Sequence, residues 1–206
     1  VNPTGIGTGT FASGASPQFI FQSFDSVTVN PGVGGFDHVE INGTAGPDTV
    51  TSTANTVTLG GAVTLGAGID QVDINTFDGN DNVDLDLAVA GLKKVVNLGA
   101  GNDRADLSGV AVDPADPVIY GGDGDDNIVG SPNPDVIYGG YGDDVIIGGA
   151  SNDFLYGEDG NDIFGNPNLL SNGVADDAGV DSNFGGAGFD NFVWEPGDGA
   201  DINNGG

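Results

Sequence analysis

The chain has 206 residues and carries 31 acidic side chains against three basic ones, a net charge of −28, with 39 glycines and neither Cys nor Met. A basic face for nucleic acid cannot be built from Lys93, Lys94 and Arg104. No apolar run approaches the ~18 residues of a membrane span, and without Cys there is no disulfide framework, thiolate metal site or cysteine nucleophile. Gly, Asp, Asn and Thr all disfavour helix interiors, which excludes a long helical bundle. High charge and abundant Gly argue for disorder, yet 37% of residues are hydrophobic and recur at short intervals. A fold that forms once a cation neutralises the carboxylates reconciles the two.

Residues 1–40 hold five of the eleven Phe, namely Phe11, Phe19, Phe21, Phe24 and Phe36. Residues 18–30 read as one or two strands. Two readings stand for this segment: an N-terminal cap, or an interaction strand whose Phe19-Ile20-Phe21 docks on the open end of a neighbouring chain.

Residues 41–120 contain irregular copies of one pattern, an Asp two residues before an apolar side chain. GTAGPDTVT (43–51) has Asp48 and Val50, LGAGIDQVD (65–73) has Asp70 and Val72, FDGNDNV (77–83) has Asp81 and Val83, and LGAGNDRAD (98–106) has Asp103. The separations Asp48 to Asp70 and Asp81 to Asp103 are equal, which predicts a degenerate β-solenoid with coils of that length. Strands are expected at 49–51, 56–59, 62–65, 71–74, 82–87 and 94–98, with period-two alternation in Val83-Asp84-Leu85-Asp86-Leu87. His38 is the single imidazole. No nucleophile elbow, zinc-protease motif or phosphate loop accompanies it, and the chain is read as not an enzyme.

Residues 121–206 hold a nine-residue repeat. The blocks are GGDGDDNIV (121–129), GSPNPDVIY (130–138), GGYGDDVII (139–147), GGASNDFLY (148–156), GEDGNDIFG (157–165) and, after an interruption at 166–184, GGAGFDNFV (185–193). The sixth position is always Asp: Asp126, Asp135, Asp144, Asp153, Asp162 and Asp190. The eighth is always apolar. Six turn-forming residues followed by a three-residue strand cannot bury a face alone, so the blocks must stack in parallel. Stacking brings turn carboxylates into register at ~4.8 Å. Their repulsion becomes cross-linking when a hard cation sits between them, and Ca²⁺ takes six or more oxygens from carboxylates and backbone carbonyls.

This nonapeptide resembles that of the RTX (repeats-in-toxin) family of calcium-binding β-roll proteins. The resemblance implies an all-β fold, a right-handed parallel β-solenoid in which two nonapeptides make one coil. Asp126, Asp144 and Asp162 would then form one calcium row, and Asp135 and Asp153 a second, with Pro132, Pro134 and Ser151 disturbing its turns. The candidate calcium ligands are Asp103, Gly121, Asp123, Gly124, Asp126, Asp135, Gly139, Gly142, Asp144, Asp153, Gly157, Asp159, Asp162 and Asp190. Asp103 is included because Gly99-Ala100-Gly101-Asn102-Asp103 keeps the turn intact. The final stretch resembles a closing rung, with Trp194 as a capping hydrophobe.

The resemblance further implies secretion by a type I route and folding outside the cell. Val1 begins no signal-peptide pattern and Gly205-Gly206 looks like the opening of another turn, so a segment of a longer or processed chain is expected. Two roles are open. One is a structural or assembly element such as a filament, surface-layer or adhesin segment, whose partners are itself or a cell surface. The other is the calcium module of a larger secreted enzyme or toxin.

Overall fold

The computed structural model describes residues 18–21, 26–29, 36–59, 61–113, 115, 117–165, 179–193 and 201–206. The readings of Phe11, Phe24, the interruption over 166–178 and Trp194 lie outside these residues. All described regular structure is β, and no helix among the described residues is long and apolar enough to cross a membrane.

Chain order gives β1 Gln18–Phe21, β2 Ser26–Val29, β3 His38–Asn42, β4 Thr49–Thr53, β5 Thr56–Leu59, β6 Gly61–Leu65, β7 Gln71–Asn75, β8 Asn82–Asp84, β9 Lys93–Ala100, β10 Arg104–Asp106, β11 Val118–Asp123, β12 Asn127–Val129, β13 Val136–Tyr141, β14 Val145–Ile147, β15 Phe154–Asp159, β16 Ile163–Phe164, β17 Ser182–Ala187, β18 Asn191–Phe192 and β19 Ile202–Asn204. From β7 onward the strands alternate between two sheets. One sheet runs β1-β3-β7-β9-β11-β13-β15-β17-β19, parallel throughout. The other runs β18-β16-β14-β12-β10-β8-β4-β5-β6-β2. This is a β-roll: each coil lays one strand in each sheet, and nine rungs at ~4.8 Å make a stack about 40 Å long. Both sheets run without a break through 40–41 and 120–121.

Coil size follows the number of inward side chains. In the regular part each strand sends its central residue inward: Ile119, Ile137 and Leu155 from one sheet face Ile128, Ile146 and Phe164 from the other, all essentially buried. Nine residues per strand and turn suffice for that, and successive turns repeat every 18 residues. Earlier coils are broader, with Val83, Leu85 and Leu87, Val96 and Leu98, and Ala105 and Leu107 all buried. They repeat at 22 and 23 residues.

The equal Asp48–Asp70 and Asp81–Asp103 separations do not both mark a coil. Asp81 to Asp103 does, but Asp48 is followed in its column by Asp81, 33 residues on, and Asp70 stands in the other column. The cause is an antiparallel excursion, β4-β5-β6, inserted into one sheet. Only Ala54 and Asn55 separate β4 from β5. Two residues can close a hairpin but cannot return the chain to a parallel neighbour. The strands at 56–59 and 62–65 therefore form as expected but make no coil of their own. The N-terminal strand-like segment resolves into two strands, and both pair within their own chain: β1 with β3 and β2 with β6.

Outside the core, stacking continues in the side chains. Asn75 donates to Asn42 Oδ1 at 2.7 Å and Asn97 to Asn75 Oδ1 at 2.6 Å. The same column then turns aromatic, with Tyr120, Tyr138, Tyr156 and Phe184 stacked at centroid distances of 5.1, 4.9 and 4.9 Å.

Candidate metal centre

The sixth turn position builds two columns of carboxylates. In the first, the backbone N–H of each Asp donates to Oδ1 of the Asp one coil later: Asp48 to Asp81 at 2.7 Å, Asp81 to Asp103 at 2.7 Å, Asp103 to Asp126 at 2.9 Å, Asp126 to Asp144 at 2.8 Å, Asp144 to Asp162 at 3.0 Å and Asp162 to Asp190 at 3.2 Å. The second column is interrupted. Asp37 donates to Asp70 at 2.7 Å at one end. At the other, Asp135 donates to Asp153 at 2.8 Å, Asp153 to Asp181 at 2.7 Å and Asp181 to Asp201 at 3.1 Å. The alternate-row reading of Asp126, Asp144 and Asp162 against Asp135 and Asp153 is what the structure places. It adds Asp103 and Asp190 to the first row.

These bonds use one carboxylate oxygen. The second, Oδ2, has no hydrogen-bond partner and no solvent contact in Asp81, Asp103, Asp126, Asp144, Asp153, Asp162 and Asp190. A buried unpaired carboxylate oxygen is costly unless a cation meets it. In the regular coils the first-position glycine leaves room beside that oxygen. A Cβ on Gly121 would meet both Asp126 Oδ2 and the Gly139 carbonyl oxygen, and one on Gly139 would meet Asp144 Oδ2 while standing 2.9 Å from Gly157 O. Gly157 repeats the arrangement, with Asp162 Oδ2 in contact and Gly185 O at 2.6 Å. A carboxylate oxygen and a carbonyl oxygen from successive coils thus converge with no donor between them. Gly124 and Gly142 sit at φ of 123° and 127°, each against a carbonyl of the preceding coil, where a side chain has neither room nor a favourable backbone.

Electrostatics agree. The Asp126 carboxyl is pushed up to about 7 by burial, with Asp103 and Asp125 adding repulsion. Asp144 rises to about 7 through burial and its neighbours Asp126 and Asp162. Asp153 rises to about 8 through burial beside Asp135 and Asp181, and Asp162 to about 6 through burial beside Asp190. Burial also raises Asp103. Like charges ~4.8 Å apart cost about 3 kcal/mol per neighbouring pair at an effective dielectric of ~20. A divalent ion removes both penalties. Among the described residues no three His, Cys, Asp or Glu side chains converge on one point. The donor set is therefore carboxylate plus carbonyl oxygen, which suits a hard cation of large, flexible coordination such as Ca²⁺.

Several expected ligands stand elsewhere. Asp123 and Asp159 end β11 and β15, exposed and in register with Tyr141, outside both columns. Asp135 lies in its column, but Oδ2 already accepts the Ser131 N–H at 2.7 Å and the Ser131 hydroxyl at 3.1 Å. Three column members escaped the sequence reading: Asp37, Asp181 and Asp201. Asp37 is buried one residue before β3. Its surroundings Gly35-Phe36-Asp37-His38-Val39 keep the spacing of Gly188-Phe189-Asp190-Asn191-Phe192, but they lie in the aromatic N-terminal segment. Asp181, fully buried, lies inside the stretch 166–184 read as an interruption, where register cannot be counted. His38 Nε2 lies 2.9 Å from Asp73 Oδ2, in ion-pair range though out of line for a hydrogen bond.

The core side of β9 also buries a cation of the chain's own, in register with Val72. Lys94 points inward from β9, is wholly buried, and places Nζ 3.1 Å from Asp113 Oδ2. Asp113 is held in turn by its N–H bond to Asn133 Oδ1 at 2.6 Å.

The RTX calcium-binding nonapeptide repeat family, in its four-copy form, matches residues 118–137 and 129–164. No curated protein and no solved structure matches the chain. The matched residues are the regular coils that carry Asp126, Asp135, Asp144, Asp153 and Asp162. Residues 118–164 thus carry RTX calcium-binding nonapeptide repeats, folded here as part of a β-roll.

Proposed function

We propose that this protein is an extracellular structural rod, an assembly element that calcium folds and stiffens, with no catalytic step of its own. The observation that carries this reading is the first Asp column, which links coil to coil from Asp48 to Asp190 along the stacking axis. Ions held in such a column act on the whole length of the stack rather than on one pocket. RTX repeat proteins are typically exported and meet millimolar calcium outside the cell, the range in which extracellular calcium modules work.

Head-to-tail stacking is the assembly that supports this role. Among the described residues, β1 and β19 each pair along one edge only, and so do β2 and β18. An open strand edge is a template for another chain, and a contact between unlike ends is heterologous and propagates. Sedimentation velocity and negative-stain microscopy of the full chain test the idea. Millimolar calcium should give elongated particles that lengthen with concentration, and chelator should abolish them. Magnesium should not substitute, because it demands tight octahedral geometry and sheds water reluctantly. A chain that folds in calcium but stays monomeric at high concentration would refute assembly and favour a calcium module of a larger exported protein.

A further inference from the structure

Most of the described turns fall into two kinds according to the residue at their second position. In seven of them that residue has positive φ: Phe77 (72°), Gly99 (109°), Gly122 (121°), Gly140 (122°), Gly149 (100°), Glu158 (78°) and Gly186 (100°). The Asp closing each of these turns is Asp81, Asp103, Asp126, Asp144, Asp153, Asp162 and Asp190, and every one keeps Oδ2 without a partner. In two turns the second residue is Thr44 or Ser131, neither at positive φ. There the second-position N–H donates to the turn's own carboxylate, Thr44 to Asp48 Oδ2 at 2.6 Å and Ser131 to Asp135 Oδ2 at 2.7 Å. The hydroxyls add to it, at 3.3 Å and 3.1 Å.

We infer that the second turn residue decides which carboxylates take a cation, so that the turns 76–81 and 98–103 are cation sites and the turns 43–48 and 130–135 are not. This rests on the calcium reading of the regular repeats. It extends the first column two turns N-terminal of the matched segment and removes Asp135 from the ligand set.

The physical reason is competition for one oxygen. An N–H already bonded to Oδ2 satisfies the carboxylate and places a positive hydrogen where the ion would sit. Positive φ at the second position leaves no such donor on Oδ2. Thr44 is β-branched and resists positive φ, and Ser131 precedes Pro132, which drives it toward extended backbone. Phe77 and Glu158 have no such freedom from strain, yet both hold positive φ. Asp81 and Asp103 are 3% and 4% exposed, so water does not satisfy their second oxygen.

Calcium counted by equilibrium dialysis on the full folded chain tests this. The wild-type count tests the calcium reading itself, and differences between variants test the inference. Asp81→Asn keeps the Oδ1 acceptor for the Asp48 N–H but loses the ligating oxygen, and should bind one calcium fewer. Asp135→Asn should bind as many as wild type. Because an amide facing the Ser131 N–H could unfold that turn, Ser131→Ala gives the same reading with the backbone donor intact, and its count should also equal wild type. Ser131→Gly with Pro132→Gly, which permits positive φ, should gain one calcium. An unchanged count in Asp81→Asn, or a loss in Ser131→Ala, would overturn the inference. A wild type that binds no calcium would overturn it together with the calcium reading.

Discussion

Without calcium, this protein should be stabilised by acid and unfolded by neutral to alkaline pH. Asp126, Asp144, Asp153 and Asp162 have folded-state values of about 7, 7, 8 and 6 against 3.8 for the free side chain. A raised value means that the folded chain binds protons the unfolded chain does not, between 3.8 and the folded value. The stabilisation is therefore present at low pH and lost as pH climbs through about 6 to 8. Integrated from pH 5 to pH 8, the four carboxyls together withdraw on the order of 10 kcal/mol. That rivals the whole stability of a typical domain, ~5–15 kcal/mol. Urea unfolding of the chelated chain, followed by far-UV circular dichroism at pH 5, 6, 7 and 8, should show a midpoint that falls steadily, with little native signal at pH 8. Saturating calcium should flatten the dependence above pH 7, because the ion replaces the protons. Below pH 7 calcium binding should release protons. A chelated chain whose midpoint is flat or rises between pH 5 and pH 8 would refute the buried-column argument.

Other substitutions probe separate parts of the stack. Gly139→Ala places a Cβ against Asp144 Oδ2 and 2.9 Å from Gly157 O; it should weaken the calcium midpoint in a titration far more than Gly46→Ala, where φ is not positive and a Cβ meets only Thr44 Oγ1 at 4.0 Å. Ile146→Ala empties a fully buried central position and should cost ~2–5 kcal/mol in calcium-saturated denaturant unfolding. Lys94→Met strands the Asp113 carboxylate, and breaking such a buried pair costs ~3–5 kcal/mol. That loss should persist at saturating calcium, since calcium in the columns does not restore the missing ammonium.

Much of this molecule was legible in its sequence because the repeat is a local code. Asp at the sixth position and an apolar residue at the eighth state, within nine residues, which side chain lines the column and which fills the core. The assignments of Asp126, Asp144 and Asp162 to one side and Asp153 to the other follow from counting once the resemblance supplies two nonapeptides per coil. Strand positions in the first half were legible for the same reason, since alternation in Val83–Leu87 and the spacing of Asp103 are local. What counting could not decide was pairing. Equal spacing made Asp48 and Asp70 look like neighbours, whereas the β4-β5-β6 excursion puts them in different columns; the parallel or antiparallel choice depends on which strand is nearest in space. Nor does composition reveal that Ser131 satisfies Asp135, or that Lys94 is buried against Asp113. Those outcomes turn on backbone sign and on residues brought together across coils, and only the stacked structure fixes them.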